Sequence, residues 1–167
     1  VDVFQQDASV MSFLFLVVSL IGIGAKPLIG RLIDARGERF VLGAEALLVV
    51  GICATYAIAP GLLPPGAALI VVCACYVLDQ AANSVTMARA TYVRRIARRP
   101  EDVSPTLSLG VSIDHIASMS IPMLGGLVWR SSGPDGYRWV FAAGALIALA
   151  NFASSRAIPR RFHAELA

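Results

Sequence analysis

Residues 46–78 read ALLVVGICATYAIAPGLLPPGAALIVVCACYVL, 33 positions without a single charge. A hydrocarbon core about 30 Å thick takes about 20 helical residues per crossing. The run is too long for one crossing. Its cluster Pro60-Gly61-Leu62-Leu63-Pro64-Pro65-Gly66 divides it, because Pro and Gly punctuate helices. One span is therefore expected over residues 41–59 and the next over 67–88.

The same reading extends outward. Cutting at charges and at Gly/Pro clusters gives further spans over 9–29, 106–128 and 138–157. Ser104-Pro105 suits an N-cap followed by the first helical position, and Ser132-Gly133-Pro134-Asp135-Gly136 is a turn by composition. The expected fold is an all-α membrane protein, a bundle of five transmembrane helices forming one domain over residues 1–167. Composition agrees: of 167 residues 57% are hydrophobic and 15% charged, at a mean hydropathy of +0.71. A soluble domain carries about 25% charge. A soluble enzyme, a nucleic-acid module and a disordered tail are excluded, and the lipid bilayer is the first partner.

The net charge of +3 resides in Arg-rich connections between apolar runs. Arg31, Arg36 and Arg39 follow the first span. Arg89, Arg94, Arg95, Arg98 and Arg99 follow the third, and Arg156, Arg160 and Arg161 end the fifth. These eleven fall on one side of the membrane, against Arg130 and Arg138 on the other. The positive-inside bias predicts a cytoplasmic C-terminus and an outside N-terminus in a cytoplasmic, or inner, cell membrane. The basic segment 89–104 reads as a loop, either setting orientation or lying on anionic lipid. Lys26, near the end of its span, reads as snorkelling to the interface. The chain opens on Val1 without an initiator Met or a basic leader, which points to a segment of a longer protein.

The first connection, Gly30-Arg31-Leu32-Ile33-Asp34-Ala35-Arg36-Gly37-Glu38-Arg39-Phe40, has parts with separate physical tasks. Gly30 suits close helix approach. Asp34 suits a following helix N-terminus or a neighbouring Arg. Gly37 suits a turn at positive φ. Arg36 and Arg39 anchor the connection on the cytoplasmic side.

This segment resembles the G-x-L-x-D-x-x-G-x-R loop of the major facilitator superfamily of secondary transporters. Gly30, Leu32, Asp34, Gly37 and Arg39 match; Ala35 and Glu38 stand where that family often has basic residues. Ser120-Ile121-Pro122-Met123-Leu124-Gly125-Gly126 is similar to a Pro-Gly-Gly span ending in the family, and suits ordinary small-residue packing equally well. The resemblance implies the C-terminal half of such a transporter, spans eight to twelve. It also implies an N-terminal half as partner and a gating role for Gly30, Asp34, Arg36, Gly37 and Arg39. A purely topogenic hairpin is the simpler reading of the same loop.

Ionisable groups inside spans are costly and ask for a reason. Asp79, Gln80 and Asn83 fall in the third span, with Tyr76, Asp79 and Asn83 on one helical face. Asp114 and His115 fall in the fourth, flanked by Ser112 and Ser118. They are the candidates for contact with a small solute or with protons, in a cavity shared by the two spans. The simpler reading makes the two Asp residues structural partners of Arg or backbone groups. Glu45 lies near the cytoplasmic end of the second span, within reach of Arg36 or Arg39. Cys53, Cys73 and Cys75 read as small apolar packing residues. No zinc-protease, hydrolase or Cys/His ligand pattern is present, so neither an enzyme, a cofactor nor a metal is expected. The functional expectation is secondary active transport of a small solute by alternating access, with protons as candidate coupling ion. A non-transporting scaffold or degenerate half-transporter is the alternative.

Overall fold

The structure, a computed structural model, describes residues 8–158. It is built of α1 (Ala8–Arg36), α2 (Glu38–Leu62), α3 (Pro65–Ala82), α4 (Thr86–Ile96), α5 (Val103–Ser131) and α6 (Gly136–Arg156). Short 3₁₀ turns at Asn83–Val85, Pro100–Asp102 and Gly133–Asp135 complete it, and no strand occurs among the described residues. Five helical stretches are long and apolar enough to cross a membrane. The third of them is α3 and α4 taken together, Pro65–Ile96.

The all-α class and the five spans are as the charge-free runs imply; the ends differ. The connection expected over 30–40 is helical almost throughout. α1 runs on to Arg36, and α2 begins at Glu38. Gly37 alone breaks the chain, at φ 81° and ψ 163°, a conformation open in practice only to glycine. α2 likewise passes through Pro60 and ends at Leu62, so the expected seven-residue turn shrinks to Leu63 and Pro64, with Pro65 opening α3. Residues 89–96, expected as loop, are helical: Arg is a good helix former, and charge ends an apolar run without ending a helix. The N-cap position of α5 is Asp102 rather than Ser104, and it carries no side-chain capping hydrogen bond. The turn at 132–136 is present, with Gly133 at φ 72°. The basic residues Arg160 and Arg161 lie outside the described residues.

Two features organise the packing. The first is the antiparallel pair α2 and α6, which small residues bring close together. A Cβ at Gly43 would stand 3.2 Å from Ser155 Oγ, and one at Gly144 3.2 Å from Cys53 Sγ. Between these points Ala46, Ile52 and Ala148 are buried; beyond the second, Ala59 is buried and Tyr56 meets Phe141 at 4.9 Å between ring centroids. Lipid tails are as apolar as the side chains, so close contact of this kind, rather than a hydrophobic force, holds such helices together.

The second is a knot where four segments meet. Ile33 at the end of α1, Val41 at the start of α2, Val85 in the 3₁₀ turn and Ala88 in α4 form a buried cluster, with Ile29, Leu32 and Leu42 packed on it. The break at Gly37 folds α1 back onto α2 beside this cluster, and Gly37 itself is buried. Gly30, expected at a close helix contact, has open space where a Cβ would go. Gly125 meets Val140 Cγ1 of α6 at 3.2 Å from its Cβ position, whereas Gly126 meets nothing. α5 has no buried residue, and α1 has only Leu14 and Ile33 among its described residues. Much of the apolar surface of both helices faces outward.

Candidate functional site

The charged side chains of three helices converge on the end of the bundle that carries Gly37. Glu38 and Glu45 lie two turns apart on α2, about 10 Å along its axis at 1.5 Å per residue. Arg95 and Arg89 lie nearly as far apart on α4, in the opposite order. Each Arg meets one Glu. Arg95 Nε is 3.1 Å from Glu38 Oε1, and Arg95 Nη1 donates a hydrogen bond of 3.2 Å to Oε2. Oε1 is enclosed and forms no hydrogen bond of its own, so its contact with Nε is Coulombic. Arg89 Nη2 is 3.5 Å from Glu45 Oε1.

Arg89 has a second acid. Its Nη1 lies 3.8 Å from Asp114 Oδ2 on α5. Neither contact of Arg89 is short enough for a good hydrogen bond, so the guanidinium stands as a cation between two carboxylates on two other helices. The five residues carry three negative charges against two positive ones. Arg89 stands about one helical turn past the 3₁₀ turn at Asn83–Val85, where the third membrane-length stretch loses regular α-helical geometry.

The residues singled out in the sequence are distributed as follows. Asp114 belongs to this network. Asp79 is half-buried on α3, which packs on α2. The link from α5 towards that helix runs through Arg89 and Glu45. Asn83 donates to Gln80 Oε1 at 3.4 Å, beside the helix break. His115 is exposed. Ser112 and Ser118 donate to the carbonyls of Ser108 and Asp114, so their hydroxyls are satisfied within α5.

In the first connection, Asp34 is exposed and forms no ion pair among the described residues. Arg36 stacks over the Phe40 ring at 4.8 Å. Arg39 Nη1 donates to the Ile158 carbonyl at 2.8 Å, tying the start of α2 to the chain just past α6. Glu45 reaches Arg89, not Arg36 or Arg39 as its sequence position suggested.

Glu38, Arg89 and Arg95 went unnoticed as a set because their pairing is tertiary. The available signal was the spacing: two acids seven apart on α2 and two Arg six apart beyond Asn83. Seven residues return to nearly the same helical face, whereas six leave the two Arg positions about 120° apart, so only the acids share a face.

Beside the network a cavity of about 380 Å³ opens between α2, α4 and α6. Glu45, Arg89, Tyr92, Asn151, Ser154 and Ser155 supply its polar wall. At the other end a second cavity of about 570 Å³ is lined more by apolar groups, with Arg138 and Asp135 3.4 Å apart at its edge.

Fold and network together define a helical bundle of the multi-pass membrane type, with ion pairs between its helices. Compared with known proteins, the chain matches no family model, no curated protein and no solved structure.

Proposed function

We propose that the chain works as the C-terminal part of a secondary active transporter of the major facilitator type. It would move a small solute across the cytoplasmic membrane by alternating access. The observation that carries this reading is Arg89, a cation held between Glu45 of α2 and Asp114 of α5, about one helical turn past a break in a membrane-length helix. Ionisable groups on membrane-spanning helices mark ion and substrate paths, and interrupted helices are common at transport sites. A carboxylate in excess over the cations suits exchange of a proton. The outward apolar faces of α1 and α5 suit contact with an N-terminal half. The resemblance of residues 30–39 to the family's loop adds to this, and the Lys/Arg bias puts the Gly37 end on the cytoplasmic side.

The competing reading, a scaffold or degenerate half-transporter, treats the same ion pairs as ties between helices. The two part on flux. Membrane vesicles from cells expressing the gene at its native locus would be incubated with a mixed solute extract, with and without an imposed pH gradient. Their contents would then be profiled by mass spectrometry. Transport predicts at least one solute accumulated by wild type and lost in Asp114→Asn at equal protein level. Identical profiles for wild type and a deletion strain would remove the reading.

A further inference from the structure

The Glu45–Arg89 pair of the proposed transport network also lines the cavity between α2, α4 and α6. Its wall carries one acid and one base side by side, Glu45 and Arg89, 3.5 Å apart. Arg89 is 43% exposed in its side chain, so it has open access despite its two acidic neighbours. Its N–H groups are not consumed by good hydrogen bonds to either of them. Asn151 adds a carboxamide, donor and acceptor at once, that makes no hydrogen bond among the described residues.

The depth is equally informative. Leu42 and Glu45 lie in the first two turns of α2, and Ser154 to Ile158 in the last turn of α6 and just past it. Tyr92 stands on the α4 side. The cavity is therefore at the level where helices leave the hydrocarbon, the level at which Tyr and Trp gather and headgroups lie.

We propose that this cavity binds a zwitterion made of a primary ammonium and a phosphodiester, the headgroup of an ethanolamine phospholipid. The phosphodiester oxygens accept from Arg89, and the ammonium donates to Glu45 and to the Asn151 carbonyl oxygen. A choline headgroup lacks N–H donors for the Glu45 carboxylate. An anionic glycerol headgroup meets Glu45 as a like charge. The selectivity thus comes from the pairing of the two side chains, where a lone basic patch would favour anionic lipid. This inference stands apart from the transport reading, since a scaffold would hold the lipid equally well.

The test is native mass spectrometry of the full-length protein in detergent, titrated with ethanolamine, choline and glycerol phospholipids of identical acyl chains. Wild type should retain the ethanolamine lipid about fivefold over each of the others, as charge-assisted hydrogen bonds at both ends imply. Glu45→Gln should turn the preference toward the anionic glycerol lipid, because Arg89 then lacks its nearest acid. Arg89→Gln should abolish selectivity. Asn151→Leu, which leaves the ion pair whole, should lower ethanolamine-lipid retention about threefold, and it decides the matter should the charge variants not fold.

Soluble glycerophosphoethanolamine identifies the source. Failure to displace the lipid at equal concentration supports a membrane headgroup, and displacement overturns the lipid in favour of a free zwitterion. Equal retention of ethanolamine and choline lipids by wild type, or selectivity unchanged in Glu45→Gln, overturns the proposal.

Discussion

Arg95 meets Glu38 at two points, Nε to Oε1 at 3.1 Å and Nη1 to Oε2 at 3.2 Å, across 57 residues of chain. Glu38 is 4% exposed, and it opens α2 directly after the glycine that breaks the chain. The pair pins α4 to the start of α2 and so fixes where Arg89, further along α4, can stand.

Removing one partner of such a pair leaves the other charge unsatisfied. Glu38→Gln is expected to destabilise the fold by about 2 kcal/mol, below the usual figure for a buried pair because Arg95 keeps some solvent. The joint replacement Glu38→Leu with Arg95→Leu should recover most of that loss. Thermal unfolding in detergent, followed by tryptophan fluorescence, checks both. A double variant no more stable than the single one would show that the pair is not what Glu38 contributes.

Gly37 holds a backbone conformation that a Cβ strains. Gly37→Ala should cost about 1–3 kcal/mol. The same substitution at Gly30, where a Cβ meets open space, should leave stability within about 0.5 kcal/mol. The contrast separates a conformational requirement from mere presence in a loop motif. Equal melting of the two variants would contradict the assignment.

In the α2–α6 contact Gly144 faces Cys53, whose Sγ would stand 3.2 Å from a Cβ added there. Gly144→Val should lower the melting temperature through overpacking, by about 1–3 kcal/mol in free energy. Cys53→Ala in the same chain should relieve part of the loss, since the crowded atom is Cys53 Sγ. A double-mutant cycle reads the coupling directly. Strictly additive effects would place the crowding elsewhere.

Orientation has its own test. A fluorescent protein fused after Ala167 should fold and fluoresce if the Arg-rich end is cytoplasmic, while alkaline phosphatase at the same point should stay inactive. The reverse pattern would invert the topology.

How far the sequence could be read depended on the range of each interaction. The five spans were visible because membrane length and freedom from charge are local properties, as in residues 46–78. Positive φ at Gly37 and a turn at Gly133 were visible for the same reason. Helix ends were less so: Pro60 sits inside α2, and Arg89 to Ile96 stay helical, continuing from Ala88, which packs in the knot with Ile33, Val41 and Val85. The network was hidden for a different reason. Asp114 stood out as a charge in an apolar run, but its neighbour Arg89 looked like part of a basic loop. Only the fold brings α2, α4 and α5 to one place.

The most direct test of the account is solute uptake by vesicles carrying Arg89→Lys and Arg89→Gln, with insertion verified for each. If Arg89 works as the cation between Glu45 and Asp114, Lys should retain partial uptake and Gln should lose at least about tenfold, since only Lys keeps the charge that both acids face. Uptake by Arg89→Gln equal to wild type would contradict the central claim and leave the network a structural tie.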